Sequence, residues 1–411
     1  MAEIVLGVTG GIAAYKAVAL LRDLRESGLD VTVVPTSSAL KFVGEPTWAA
    51  LSGRAVATDV WTGTQDVPHV RLGQQADAVV IAPATADFLA RAAHGIANDL
   101  LTNVLLTAHG PVIIAPAMHT EMWQHPATQA NVRTLRERGA IVLDPDDGRL
   151  TGADSGPGRL PDPALIADMV RELVRVSHRS DGSRTSLDLV GTKMLISAGG
   201  TQEPWDDVRY LGNRSSGRQG FALARTALAR GASVTLVVGH TDDSIPPGCS
   251  VITIDTAEDL RVAMHGAIGQ EDPDVVVMAA AVADFRPVAS SRSKITKESL
   301  DGATPELTLE QTTDVLAEIV AKRGSAPRPV VVGFAAEAPS DGETLATRAQ
   351  AKLARKGCDY LVANEVSGGA VFGEASTSIL ILSPEGERAN LTGVSKADAA
   401  DALWDIITAD R

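Results

Sequence analysis

Short, wholly apolar runs recur along the chain, each followed by a stretch with helical period. In the first part the runs fall at 4–9, 31–35, 78–83, 112–116 and 140–143. Helical patterns lie between them at 13–27, 86–94, 99–108 and 128–139. Strands apolar on both faces and separated by helices predict a parallel sheet covered on both sides. A glycine-rich segment at 148–158 and a helix at 163–176 close this part. Residues 177–188, SHRSDGSRTSLD, carry no apolar period and read as a linker. The alternation then restarts, with strands at 193–197, 233–238, 251–254, 275–279, 330–334, 360–363 and 378–382. Helices are predicted at 219–230, 257–269, 313–323, 343–356 and 397–409. The segment 284–310 is charged and alternating, breaks the rhythm, and reads as an excursion beside a site. The expected fold class is α/β, with two open parallel-sheet domains, 1–176 and 189–411, joined by 177–188. Each should bind its ligand beyond the carboxyl ends of its strands.

Two strand-to-helix turns are glycine-rich. Gly199 and Gly200 follow the strand at 193–197, and a polar loop carrying Asn213, Ser215, Ser216 and Gly217 leads into the next helix. Gly10, Gly11 and Ile12 follow the first strand of the chain. Glycines let the backbone approach a phosphate, and free N–H groups at a helix start point at it. The first loop, Gly7-Val8-Thr9-Gly10-Gly11, is not a strict G-x-G-x-x-G, and an ordinary tight turn explains it equally well. Ser38 follows the second strand, Thr85 the third and Met118 the fourth. Small or hydroxylated residues thus end successive strands on one sheet edge, which suits a flat cofactor with a single phosphate. No lysine follows the glycines as in a triphosphate loop, and no acidic residue stands after the second strand to read a ribose diol. A lone histidine such as His69 is more often structural than catalytic. His119, Glu121 and His125 cluster in AMHTEMWQH, but their spacing is not H-E-x-x-H, and metal is the weaker reading.

In the second half, AAAVADFRP delivers Asp284 and Phe285 to a loop, where a carboxylate can serve Mg²⁺ or a ribose. Lys294 stands in KITK on the charged excursion, where a solvated basic patch is the ordinary explanation. Thr312, Thr313 and Asp314 open a helix that continues through Val315 and Leu316. Phe334 ends a strand, and Lys352 and Lys356 share a helix face, placed to clamp phosphates or simply exposed.

Composition narrows the classes. Over 411 residues the net charge is −14, which argues against nucleic acid or an anionic membrane as the main partner. Hydrophobic content of 45% with 21% charged residues is that of a globular protein, and no apolar run is long enough to span a membrane. Two cysteines, Cys249 and Cys358, are too few for a disulfide framework and, with no secretory leader, fit a reducing cytoplasm.

GGIAAYK, APATADFLA followed by GIANDL, and PAMHTEMW together resemble the flavin-containing cysteine decarboxylases. The resemblance implies a flavodoxin-like domain binding FMN through Gly10, Gly11, Ile12, Ser38, Thr85 and Met118. It places the active-site histidine at His69. His119 stands where the family has asparagine, and Gly152 where it has a lid cysteine that donates a proton. Protonation would then come from His119, from Asp154 on the lid, or from water. The second half resembles phosphopantothenate–cysteine ligases through GGT, NRSSG, AAVADFRP, KITK, GFAAE and LVANEVS.

That second resemblance implies a Rossmann-like domain using CTP and Mg²⁺. Asn213 would handle an acyl-cytidylate and Lys294 the second half-reaction. Gly199, Gly200, Ser216, Asp284, Phe285, Thr313, Asp314, Val315, Leu316, Phe334, Lys352 and Lys356 would complete the CTP site, with Asp284 near Mg²⁺. The order, decarboxylase then ligase, is that of the bifunctional bacterial coenzyme A biosynthesis family. It implies 4′-phosphopantothenate and cysteine as substrates. It also implies a homododecamer, built from the trimer contacts of the flavin family and the dimer contacts of the ligases. The rival reading is an NAD(P)-dependent reductase with two Rossmann-like halves.

Overall fold

The computed structural model describes residues 2–61, 67–150, 155–177, 187–213, 215–291, 293–296, 306–337, 343–365 and 376–411. Gly152 and Asp154, Arg214, Lys297 and Glu298, and the linker stretch 178–186 lie outside the described residues. Packing divides the chain into two compact units. One is Met1–Gly191 with Leu228–Gly231 and Pro246–Gly248; the other is Thr192–Ala227, Ala232–Ile245 and Cys249–Arg411.

The first unit runs β1 (Glu3–Val8), α1 (Ala14–Glu26), β2 (Asp30–Pro35), a 3₁₀ turn (Ala39–Lys41), α2 (Glu45–Ser52) and α3 (Pro68–Gln75). It continues through β3 (Ala78–Ala84), α4 (Ala86–His94), α5 (Leu100–Thr107), β4 (Val112–Pro116), α6 (Thr120–Gln124) and α7 (Pro126–Glu137). β5 (Ile141–Val142), β6 (Asp146–Arg149), β7 (Ser155–Arg159) and α8 (Pro163–Ser177) complete it. The five-stranded sheet has the order β2-β1-β3-β4-β5, and every pairing is parallel. Its core forms because β3 is buried at every position and α1 turns Ala17, Leu20, Leu21 and Leu24 inward at helical spacing. Local chemistry sets the helix ends near the ligand edge. Thr85 accepts from the Phe88 amide to start α4, Gly95 ends it at φ 68°, and Asp99 forms a capping box with Thr102 to start α5. The glycine-rich segment is an antiparallel hairpin of β6 and β7.

The second unit runs β8 (Lys193–Ala198), β9 (Gln202–Pro204), β10 (Tyr210–Gly212), α9 (Arg218–Ala229), β11 (Ser233–Val238), β12 (Ser250–Thr253), α10 (Ala257–Glu271) and β13 (Val275–Met278). β14 (Phe285–Pro287), β15 (Leu309–Gln311), α11 (Val315–Arg323), β16 (Val330–Glu337) and α12 (Leu345–Lys356) follow. β17 (Tyr360–Glu365), β18 (Ser376–Ser383), β19 (Gly386–Ser395) and α13 (Lys396–Ala409) end the chain. The eight-stranded sheet has the order β12-β11-β8-β13-β16-β17-β18-β19. It is parallel from β12 to β17, and β18 and β19 add an antiparallel edge. Only Pro384 and Glu385 join β18 to β19, and so short a link cannot make the crossover that parallel pairing needs. The core packs Leu195, Val276, Val331, Leu361 and Leu380 against Leu260, Met264, Ile319 and Leu353 of the covering helices. Fully buried Trp404 on α13 donates from Nε1 to Thr226 Oγ1 on α9 at 2.8 Å, so its polar atom is satisfied inside the core.

Candidate functional site

In the first unit the loops after β1, β2 and β3 are locked together. The Thr9 amide and Oγ1 both donate to the Pro83 carbonyl, at 3.2 and 2.8 Å, and the Thr85 amide donates to Thr9 Oγ1 at 3.0 Å. A Cβ on Gly10 would stand 2.3 Å from that of Ser38, and one on Gly11 would stand 3.7 Å from Thr85 Cγ2. Gly10, Gly11, Ser38 and Thr85 therefore meet at one sheet edge, with Ile12 beside them and 73% exposed. Backbone amides, two hydroxyls and a position closed to any side chain larger than hydrogen make a cradle for a phosphate.

Met118 follows β4, and its amide donates to the Gly158 carbonyl at 3.0 Å. A Cβ on Gly158 would lie 2.2 Å from the Met118 carbonyl oxygen, so β7 presses against this loop without room for a side chain. His119 is exposed at the N-cap of α6. His125 uses Nδ1 to accept from the Ala127 amide at 3.2 Å, a cap for α7. Among the described residues no group of three or more His, Cys, Asp or Glu is placed to hold a metal ion. His69 lies in the first turn of α3, a helix packed on α5. Its Nδ1 is buried without a hydrogen-bond partner, while Thr107 Oγ1 donates to its carbonyl at 2.8 Å.

In the second unit the carboxyl ends of β13 and β16, with Leu361 and Asn364 of β17, open on a cavity of about 800 Å³. Asn213, Ser216, Asp284, Phe285, Thr313, Asp314, Val315, Leu316, Phe334, Lys352 and Lys356 all line it. Asn213 Nδ2 donates to the Val282 carbonyl at 3.0 Å. The Thr312 amide donates to the Asp284 carbonyl at 3.0 Å and its hydroxyl to the Ala283 carbonyl at 2.6 Å, fixing the Asp284 loop against the start of α11. Gly199 and Gly200, expected in the CTP site, do not line this cavity; they form the turn after β8. Gly199 has φ +79°, a Cβ there would stand 2.7 Å from the His240 carbonyl, and the Gly200 amide donates to that same carbonyl at 2.9 Å.

Two of the cavity's lysines, Lys352 and Lys356, are held by carboxylates. Lys352 Nζ meets Glu337 at 2.7 Å, and Arg348 meets the other oxygen of Glu337 at 2.7 Å. Burial alone would raise the Glu337 carboxyl, but hydrogen bonds and charge from Lys352 and Arg348 outweigh it and hold it below the ordinary range. Lys356 pairs with Asp314, which also accepts from the Ala317 amide to cap α11.

Lys294 is exposed and does not line the cavity. A device that sequence reasoning missed fixes its segment. Buried Asp206 accepts from the Ile295 amide at 3.1 Å and binds Arg209 at 3.0 and 2.5 Å. Arg209 in turn donates to the Ile295 carbonyl at 2.7 Å and lies 4.3 Å above the Trp205 ring. The hydrogen bond from Arg209 holds the Asp206 carboxyl well below its usual range. The signal was present in WDDVR, within the loop that also carries Asn213. Sequence reasoning also missed Arg218, Arg355, Asn364 and Lys396 as cavity residues: Asn364 stands in LVANEVS but was given no role, and the other three stand in none of the strings that were read.

Two α/β units, each with a candidate ligand edge at the carboxyl ends of its strands, define a two-domain α/β protein with two candidate sites. Residues 1–175 match the family described as Flavoprotein. Residues 189–410 match the DNA/pantothenate metabolism flavoprotein C-terminal domain. The coenzyme A biosynthesis bifunctional protein CoaBC of Mycobacterium tuberculosis is 50% identical over 411 residues, covering 98% of this chain and 96% of that protein. The Escherichia coli protein of the same name is 39% identical over 367 residues, covering 89% and 86%. The crystal structure of the FMN-dependent cysteine decarboxylase SpaF is 35% identical, covers 41% of this chain and 94% of its own, and superposes with a TM-score of 0.36. The chain belongs to the CoaBC family of bifunctional coenzyme A biosynthesis proteins. A two-domain NAD(P)-dependent reductase finds no support in these relatives.

Proposed function

We propose how the two sites of this chain divide the work. The chain is a bifunctional enzyme of coenzyme A biosynthesis, with a flavoprotein decarboxylase and a phosphopantothenate–cysteine ligase. The ligase domain spans 189–411 in this reading, the decarboxylase 1–176, and 177–188 links them. The 4′-phosphopantothenate carboxylate attacks the α-phosphorus of CTP and expels pyrophosphate, giving an acyl-cytidylate. The cysteine amine then attacks the acyl carbon, CMP leaves, and 4′-phosphopantothenoylcysteine forms. The observation that carries this reading is the convergence of eleven sequence-expected residues, Asn213 through Lys356, on one cavity. Lys352 and Lys356 exchange their carboxylate partners for phosphate oxygens, and the negative charge that develops there is what a preformed cationic rim stabilises. Asn213, held by Val282, hydrogen-bonds the acyl-cytidylate. Lys294, on the segment pinned by Asp206 and Arg209, closes over it for the second step. Mg²⁺ arrives with the nucleotide phosphates, and Asp284 is the carboxylate beside it.

The cradle of the first unit fits FMN. Gly10 and Gly11 present amides, Ser38 and Thr85 present hydroxyls to the phosphate, Ile12 covers the edge, and Met118 lies against the ring system. FMN supplies the two-electron chemistry by which the cysteinyl carboxylate becomes a leaving CO₂ and the product is returned to the thiol level. His69 and His119 contact the substrate and hold its carboxylate, and the proton for the product carbanion equivalent comes from His119, from Asp154 or from solvent. The assembly is a cytoplasmic homododecamer closed by three-fold and two-fold contacts. Two buried cysteines, Cys249 and Cys358, neither in a disulfide and the latter pushed up to about 11 by burial, support a reducing compartment. The test is omission. Without CTP the chain should release no pyrophosphate in the presence of phosphopantothenate. Equal release with ATP alone, or none with either, would contradict the ligase assignment.

A further inference from the structure

We infer that Arg218 is a further phosphate-binding residue of the ligase cavity, and that Asp243 and Thr241 position it. The inference rests on the ligase reading above. Ser215, Ser216, Gly217 and Arg218 all line the cavity, with Arg218 opening α9. Its guanidinium is gripped side-on: Nε donates to Asp243 Oδ2 at 2.6 Å and Nη2 faces Oδ1 at 3.4 Å. The loop after β11 grips the same segment once more and braces itself. Thr241 Oγ1 donates to the Ser216 carbonyl at 2.8 Å, and the Asp243 amide donates to Thr241 Oγ1 at 3.2 Å. Gly217 has φ +75°, and a Cβ there would stand 3.0 Å from Thr241 Oγ1, so the two loops meet with no room between them.

A solvated ion pair does not require a hydroxyl clamp on the backbone beside it. This arrangement fixes the plane of a guanidinium whose side chain remains 42% exposed at the cavity wall. A planar, oriented fork is what recognises a phosphate by two parallel hydrogen bonds, where a lysine offers only a point charge. Its place is also distinct from that of the lysines. Arg218 is carried by the helix after β8, whereas Lys352 and Lys356 are carried by the helix after β16, and β13 lies between those strands. The cavity is thus cationic on two sides. Two phosphate-bearing molecules enter this reaction, a nucleoside triphosphate and an acid bearing a phosphomonoester. The shared chemistry assigned to Arg218 is a phosphate oxyanion from one of them.

The test uses full-length flavin-loaded enzyme and initial rates of pyrophosphate release, with CTP, phosphopantothenate and cysteine varied in turn. Arg218→Gln should raise KM for one phosphate-bearing substrate about ten- to hundred-fold, the loss expected for a charged hydrogen bond. KM for the other substrates should stay within about two-fold. The substrate whose KM moves identifies the phosphate. Arg218→Lys should recover part of the loss. Thr241→Val should raise the same KM less, and Thr241→Ser should restore it, which a merely structural role for the loop would not produce. If Arg218→Gln does not turn over, equilibrium dialysis with CTP and with phosphopantothenate reads binding directly, and undiminished binding of both overturns the inference. So does an unchanged KM for both in Arg218→Gln and Arg218→Lys. A wild-type enzyme that releases no pyrophosphate from CTP would fail at the earlier step, the ligase reading itself.

Discussion

In the proposed ligase reaction Asn213 is the side chain whose change should separate the two half-reactions. Its Nδ2 donates to the Val282 carbonyl, and the residue lines the cavity. Asn213→Asp replaces that donor with a carboxylate facing a carbonyl. We expect CTP-dependent pyrophosphate release to persist, while condensation with cysteine falls about ten- to hundred-fold, the range for one lost hydrogen bond in a charged site. Rapid-quench analysis of both products checks this, and equal loss of both steps would point to a CTP-binding defect instead. Lys294→Gln should behave alike. In the other unit, His119→Asn restores the residue expected from the resemblance. If His119 donates the proton, the flavin should be reduced by substrate and then stay reduced; rapid-mixing absorbance showing fast reoxidation would leave Asp154 or solvent as the donor. Asn213, Lys352 and Lys356 line the cavity to which the resemblance assigned them, whereas Gly199, Gly200 and Lys294 do not. Trp205, Asp206 and Arg209 were not read as functional. Their role is to fix Ile295, 86 positions away from Arg209, and a long-range hydrogen bond leaves no periodic trace.

Elements position these residues. The alternation of apolar runs and helical patterns gave the two sheets, since strands buried on both faces leave an unbroken apolar signature. β19 left none: it is an exposed edge strand, GERANLTGVS, with no buried position. β9 and β10 are too short for any period to register. The β6–β7 hairpin was read only as glycine-rich, because its pairing depends on Gly148 and Gly156 at φ 144° and 147°. Two predictions belong at this scale. Gly10→Ala puts a methyl 2.3 Å from Ser38 Cβ, so the loops after β1 and β2 must part. The variant should purify with less than about a tenth of the wild-type flavin absorbance while keeping ligase turnover, in line with a cost above ~1.4 kcal/mol for overpacking. Flavin content equal to wild type would show that the cradle lies elsewhere. Asp206→Asn should loosen the 291–296 segment and lower the thermal midpoint of the ligase unit. The Asp206 carboxyl is held below its usual range in the fold, so its contribution is present above the unfolded value of about 3.9 and is lost as pH falls below it. The difference between wild type and variant should therefore be full at neutral pH and shrink in acid; a difference that grew in acid would contradict the assignment.

At the scale of the whole molecule, two family matches, 1–175 and 189–410, flank the polar stretch read as a linker. A fragment beginning at Leu187 should keep ligase activity, and an insoluble or inactive fragment beside an active full chain would place the boundary elsewhere or deny its independence. Light scattering should show a closed assembly far larger than a dimer; a monomer or plain dimer at micromolar concentration would contradict the dodecamer. The order of the two domains was legible from the strings each half carries, and the dodecamer is what the resemblance implies for the assembly. The central claim is that one chain performs both reactions in succession. Mass spectrometry of the products formed from phosphopantothenate, cysteine and CTP by the flavin-loaded enzyme tests it most directly. The account predicts 4′-phosphopantetheine with CMP and pyrophosphate, and, from flavin-free enzyme, accumulation of 4′-phosphopantothenoylcysteine in its place. Unchanged phosphopantothenate, or a reduced product that appears without CTP, would contradict it.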